Sequence, residues 1–450
     1  MSPPPSPKRA PAAATTTTAP CGNLTPREPA AAMETWASLP QDLVRLIGWR
    51  ALAGDLRDYV RFRAACSHWH ASTVRPRGRG VRDPRFHPRR WMLLPEPESG
   101  GLIAPGLHDP REPVRFFNLS TGAFARARLP LADGDHTVLD SVDGLLVLHR
   151  DRDTAIRILN PFTGDVAELP PVAPILPGPR TESHGHDVAK NSLSWLSNSF
   201  HATVAVSAAG EITVMLLLAV LRRVAYATAG DQRWALSAWE HQLSCPMSFQ
   251  GKLYAMHFSN HQKTRIGIYK LEPPRPDAAE GSRSLRLPSP EKIAECTAES
   301  ATAYNFQLVE CGSELMLVCY SDGSRSHVLV HRLSDLAIGK FAPLTSIGGH
   351  ALFFEQRRCV CVSPNEELPS VSGDSIICLL LHGTSVSKRD LLIYVAQYHL
   401  GNGAWSPPRD EDDFWGPSSD SHMLLHQMCF CCYRDRWNQE FCFRTAEPEF

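Results

Sequence analysis

Phe117-Asn118-Leu119-Ser120-Thr121-Gly122 and Leu159-Asn160-Pro161-Phe162-Thr163-Gly164 are two copies of one strand-to-turn unit, set 42 residues apart. Each runs on to a Leu-Pro pair, Leu129-Pro130 and Leu169-Pro170. A period of this length matches the four-stranded blade of a β-propeller, in which each sheet is one repeat. A second recurring unit is a glycine that opens an apolar strand. It occurs at Gly101, Gly144, Gly210, Gly251, Gly312 and Gly373, with spacings of 43, 66, 41, 61 and 61 residues. Six starts predict six or seven blades, and the uneven spacing places insertions in loops. Runs such as Arg265–Lys270, His327–Arg332 and Leu391–Val395, each followed by polar residues, supply further strands. Closing small sheets into a ring protects their edges.

N-terminal to this region the pattern changes from strand to helix. Pro40 suits the first turn of a helix, and Asp42 suits its positive end. The predicted first helix runs from Pro40 to about Leu52, with Leu39, Leu43, Leu46 and Ile47 on one apolar face, and Gly54 ends it. Asp55 or Asp58 can cap a second helix whose Tyr59, Phe62, Cys66 and Trp69 share a stripe flanked by Val60 and Ala65. Arg57, Arg61 and Arg63 fall mostly off that stripe. Two such helices bury too little surface to be stable alone, so a partner or neighbouring domain is expected.

At these residues the chain resembles the F-box, the docking motif of substrate receptors in cullin-based SCF ubiquitin ligases. The matching pattern is Leu39-Pro40, Asp42, Leu43, Ile47, Leu52 and the tail from Val60 through Phe62 and Cys66 to Trp69, with His70 departing from the basic residue usual in plant members. The resemblance implies that Leu39, Pro40, Leu43, Ile47, Phe62, Cys66 and Trp69 either pack the helical core or contact a Skp-type adaptor, and through it a cullin. The region that follows resembles the plant KIB-type β-propeller. The stretches that carry this likeness are Val142–Val147, Ile156–Gly164 with Leu169-Pro170-Pro171, and Gly349–Phe354 continuing to Leu368-Pro369 and Gly373–Ile377. The likeness covers most of residues 86–400, and residues 401–450 match poorly.

The resulting organisation is multidomain: a leader over 1–35, an F-box-like helical domain over 36–74, an Arg-rich linker over 75–90, and an all-β propeller over 91–450. The leader, rich in Pro, Ala and Thr, reads as disordered, with an organelle transit peptide as the alternative. The linker holds seven arginines in sixteen residues. It reads as solvated, with nuclear import or phosphate binding as the competing functions.

A formal net charge of −1 over 450 residues gives no global attraction to nucleic acid or to an anionic membrane. Thirteen cysteines without a framework spacing point to free thiols in the nucleus or cytoplasm. The apolar run Ile212–Leu221 is too short to span a bilayer and predicts a buried strand. His422, His426, Cys429, Cys431, Cys432 and Cys442 crowd the C-terminus, but Cys431-Cys432 lacks the pair spacing of a zinc site and core thiols are expected. No nucleotide-binding or catalytic motif is recognised, so no catalytic, metal or cofactor residue is assigned.

The functional expectation is an SCF substrate receptor, acting by proximity, with helices that dock and a propeller that selects a target protein. The alternatives are a propeller scaffold outside the ligase and a propeller enzyme acting on a small molecule in the central channel.

Overall fold

The computed structural model describes residues 36–94, 113–130, 136–150, 152–176, 200–218, 222–259, 264–276, 285–298, 305–355, 358–382, 392–406 and Met428. The leader, Gly101 and the C-terminal His/Cys cluster lie outside the described residues.

Among the described residues, three α-helices precede the strands: α1 (Gln41–Gly54), α2 (Leu56–Ala64) and α3 (Ser67–Ser72). The single second helix expected from the stripe is divided at Ala65-Cys66. Cys66 has extended backbone and its Sγ accepts the Trp69 N–H at 3.4 Å, so it caps α3. Phe62 and Trp69 still meet across the break, stacked with centroids 4.4 Å apart.

The strands form six blades. Blade one is β1 (Trp91–Leu94), β2 (Val114–Asn118) and β3 (Phe124–Ala127). Blade two is β4 (His136–Val142), β5 (Leu145–Arg150), β6 (Ala155–Leu159) and β7 (Val166–Pro171). Blade three is β8 (Phe200–Val206), β9 (Ile212–Leu218), β10 (Val224–Thr228) and β11 (Ala235–Leu236). Blade four is β12 (Ser244–Phe249), β13 (Lys252–Ser259), β14 (Thr264–Leu271) and β17 (Glu291–Ala298), with the ribbon β15 (Arg275–Pro276) and β16 (Leu285–Arg286) inserted before its last strand. Blade five is β18 (Gln307–Cys311), β19 (Glu314–Tyr320) and β20 (Val328–Arg332). Blade six is β21 (Ala351–Phe354), β22 (Cys359–Val362), β23 (Ser375–His382), β24 (Leu392–His399) and β25 (Ala404–Trp405). It departs from simple up-and-down order: β21 lies between β22 and β23 and runs parallel to β23.

Alternation within the second strand of a blade builds the ring. In β5, Leu145 and Val147 face blade three while Leu146 and Leu148 face blade one. In β9, Val214 and Leu216 face blade two while Met215 and Leu217 face blade four. A strand buried on both faces reads as an unbroken apolar run, which accounts for the Ile212–Leu218 segment. Further cores join blades four and five through Met256, Ile268 and Leu317, and blades five and six through Val318, Leu352 and Phe354. The ring closes between blades six and one, where Phe353, Val360 and Ile377 pack on Met92, Leu94 and Phe117. Met428 is buried in that closing core.

The repeated unit has one geometry in both copies. The Asn118 Oδ1 accepts from the Ser120 and Thr121 amides at 2.9 and 3.0 Å, and the Asn160 Oδ1 accepts from Phe162 and Thr163 at 3.0 and 3.1 Å. Because these turns join β2 to β3 and β6 to β7, the three strands of blade one match the outer three of blade two. Among the described residues, blade one has no counterpart of β4. The recurring glycines are also explained. Gly144, Gly210, Gly251 and Gly312 all sit at positive φ in the turns linking the first and second strands of blades two to five. Gly373 belongs to a different device. It has no positive φ, and an added Cβ would lie 2.8 Å from the Gly349 carbonyl oxygen, so it permits close backbone approach before β23.

Candidate interaction interface

α1 packs inward through Val44, Gly48 and Leu52. A glycine in mid-helix costs roughly 1 kcal/mol relative to alanine. Here it allows contact, since a Cβ at Gly48 would lie 3.0 Å from the Thr73 methyl and 3.3 Å from the Phe62 ring. Leu52, Leu56, Tyr59 and Phe86 form the core beneath, with Trp49 against it. The Tyr59 hydroxyl donates to the Val74 carbonyl at 2.7 Å, and burial raises its pKa against the opposing pull of Arg63. Arg63, expected off the apolar stripe, is buried. Its guanidinium donates to Thr73 Oγ1 and to the His70 carbonyl, and so ties α2 to α3.

The face of α1 defined by the sequence spacing points outward. Leu43 is 47% exposed and Leu46 51%, and Val60 on α2 is 50% exposed. Pro40 and Asp42 are exposed, and Leu39, Ile47, Phe62, Cys66 and Trp69 are partly buried. Of the ten residues singled out from sequence, Leu52 alone is fully in the core; Phe62 and Trp69 join α2 to α3. Leu39 is held by its carbonyl, 2.9 Å from His68 Nε2, and the Trp69 indole donates to the Trp36 carbonyl at 3.1 Å. Trp36 itself is 73% exposed, and it and Leu46 are exposed apolar side chains outside the residues of the motif.

The other side of this helical unit is bolted to the propeller. Asp55 caps α2, with Oδ1 accepting from the Arg57 amide at 2.6 Å. Its Oδ2 accepts from the Trp91 indole at 2.8 Å and from Asn118 Nδ2 at 2.6 Å. Arg57 donates to the Phe124 carbonyl at 2.5 Å.

Residues 75–90, read above as a solvated linker, are instead packed. Pro76, Gly80, Val81, Phe86, His87 and Pro88 are buried, while all seven arginine side chains stay exposed. The Asp165 carboxylate accepts from the Gly78 and Gly80 amides at 2.7 and 2.6 Å, and Asn160 Nδ2 donates to the Gly80 and Phe86 carbonyls. The two copies of the repeated turn thus help to anchor both the helical unit and residues 75–90. Spacing revealed the turns but not their partners, which lie 63 to 87 residues away.

The contacting turns fix which propeller face is occupied. Turns between first and second strands and between third and fourth strands lie at one face, because successive strands alternate in direction. Connections on the other face join second to third strands and one blade to the next.

A channel of about 620 Å³ runs between the inner strands. Leu52–Leu56 border its helix-side mouth. Its charged lining is mixed: Asp143 and Glu310 stand with Arg89 and Arg90. Burial and the Asp143 charge raise the Glu310 pKa, and the two arginines oppose the shift. Asp140 is committed to the Ser141 and Ala202 amides. No group of three metal-ligating side chains occurs among the described residues, and no helix among them is long and apolar enough to cross a membrane.

No curated protein matches the chain. The family model for the KIB1-4 beta-propeller matches residues 116–399, from within β2 to the end of β24. The match leaves the helical unit, residues 75–90 and β1 outside it. With six blades, a closed ring of interblade cores and a match over well more than half its length, the chain belongs to the KIB1-4 beta-propeller family.

Proposed function

We propose that this protein is the substrate-receptor subunit of an SCF ubiquitin ligase, with α1–α3 docking a Skp-type adaptor and the propeller selecting a target protein. The observation that carries the reading is the set of exposed apolar side chains on the helical unit, Trp36 before α1, Leu43 and Leu46 on α1 and Val60 on α2, in a unit fastened to the propeller through Asp55 and Arg57. Exposed apolar side chains on a rigidly mounted helical unit invite a partner helix. Its setting is basic, with twelve arginines against four aspartates between residues 36 and 90, which favours an acidic partner surface. The chain would work by proximity, presenting a target lysine to a conjugating enzyme held elsewhere in the assembly. Nucleus and cytoplasm are the compartments where that chemistry takes place.

The broader reading, a protein-interaction propeller working outside the ligase, rests on the family match alone. Co-expression of residues 33–450 with a Skp-type adaptor, followed by size-exclusion chromatography, separates the two. A stable one-to-one complex is expected. The double variant Leu43→Asp/Leu46→Asp should lose at least tenfold in affinity with an unchanged melting temperature, because both side chains already face solvent. Absence of the complex with a folded wild-type chain leaves the scaffold reading.

A further inference from the structure

Blades five and six meet at the channel through β18 and β22, which belong to separate sheets. Cys311 is the last residue of β18, beside the Gly312 turn, and Cys361 is the third residue of β22. Their sulfurs are 3.1 Å apart. A disulfide bond is about 2.05 Å long, so closing the pair requires a movement of about 1 Å. Cys311 is buried, whereas Cys361 is partly exposed and borders the channel. One member is therefore open to a small oxidant and the other is held against it.

Two other described cysteines set the contrast. Burial pushes the Cys296 thiol up to about 11 and the Cys319 thiol up to about 12. Thiols raised in this way are poor nucleophiles. The S–H of Cys361 points at Cys311 Sγ and lowers the Cys311 pKa despite burial and the charges of Glu314, Asp374 and Glu310, while the same contact and burial push the Cys361 thiol up.

We infer that Cys311 and Cys361 form a reversible disulfide clasp between blades five and six, closed by hydrogen peroxide entering through the channel. The Cys311 proton passes to water, and the Cys311 thiolate attacks the peroxide that has entered beside Cys361. An S–O bond forms, the O–O bond breaks, and hydroxide leaves to become water. Cys361 then attacks the sulfenic sulfur of Cys311, the S–S bond forms, the S–O bond breaks, and a second hydroxide leaves and takes up the Cys361 proton. Two thiols and one peroxide give one disulfide and two waters; the two electrons lost by sulfur reduce the peroxide. The clasp joins positions 50 residues apart in sequence, across two sheets with separate hydrogen-bond ladders. It fixes the channel wall at that point without altering the helical unit.

The test uses the full chain, reduced, freed of reductant and treated with hydrogen peroxide, then alkylated and digested without reduction for mass spectrometry. The expected result is a peptide pair linking Cys311 to Cys361, loss of two alkylatable thiols, and recovery of both with dithiothreitol. The oxidised protein should melt a few degrees above the reduced one, and C361S should show neither the link nor the shift. C361S should leave a sulfenic acid at Cys311 that dimedone traps. Cys311 and Cys361 remaining fully alkylatable under peroxide, or a link formed only between other cysteines, would overturn the inference. Mapping on the wild-type chain decides the matter even where a serine variant fails to fold.

Discussion

Asp55 shows how much one side chain decides. Its position after Gly54 marks it as a helix cap in the sequence, and it caps α2. Its second oxygen has a role that no local pattern reveals, accepting from Trp91 and Asn118 in blade one. Asp55→Ala removes the cap and strands two donors, for a loss of about 2 to 4 kcal/mol. Protease cleavage within residues 41–72 should accelerate before the propeller unfolds, and Asp55→Asn should recover part of the loss. His87 makes a second prediction. Its Nε2 lies 3.0 Å from the Val81 carbonyl, and Nδ1 is buried without a hydrogen-bond partner among the described residues. Burial lowers its pKa, outweighing the raising influence of Val81, Asp143 and Asp83, while Arg89 adds to the lowering. The folded state therefore holds the ring neutral, and the unfolded chain takes up a proton near pH 6.5. Its contribution is complete above that pH and is lost as pH falls below it, at up to about 1.4 kcal/mol per pH unit. Urea titrations of wild type and His87→Asn between pH 7.5 and 5.5 should differ by that slope.

At the scale of elements, local chemistry and its surroundings separate cleanly. The first hairpin of blade two turns at Asp143 and Gly144, both at positive φ, and that of blade four turns at Gln250 and Gly251 in the same way. The glycines were legible in the sequence, and an alanine at either position costs roughly 1 kcal/mol of backbone strain. Their environments were not legible. A Cβ at Gly251 meets nothing within 4 Å, whereas one at Gly144 would lie 1.9 Å from the Pro88 carbonyl oxygen. Gly144→Ala should therefore destabilise by several times as much as Gly251→Ala in urea unfolding, and should loosen residues 75–90 as read by hydrogen exchange. The helices teach the same lesson. Spacing located the apolar positions of α1, but two apolar sets share that helix. Val44, Gly48 and Leu52 point inward, while Leu43 and Leu46 point to solvent. Only the placement of Tyr59 and Phe86 beneath α1 determines which set is core.

For the whole molecule, closure is the governing event. Each blade shares one core with the blade before it and another with the blade after, and the last core, between Phe353 and Phe117, joins the two ends of the ring. Phe353→Ala should cost about 3 to 5 kcal/mol. Because the lesion sits at the closing contact, far-UV dichroism and tryptophan fluorescence should still report one coincident transition at lower denaturant. Residues 36–90 made as an isolated peptide should show little helical dichroism, since Asp55 and the Gly80 backbone are held by Trp91, Asn118 and Asn160 outside that stretch. The sequence by itself determined the strand alternation, the repeated Asn-to-Gly turn, the glycine hairpins and the apolar positions of the helices. These follow from the dihedrals and spacing of neighbouring residues, which a chain carries wherever it folds. The tertiary structure alone decided that the blades number six, that the arginine-rich stretch is packed with its side chains outward, which helical face is free, and that Cys311 meets Cys361. Those outcomes depend on partners tens of residues apart, and ring closure selects them by burying every blade on both sides.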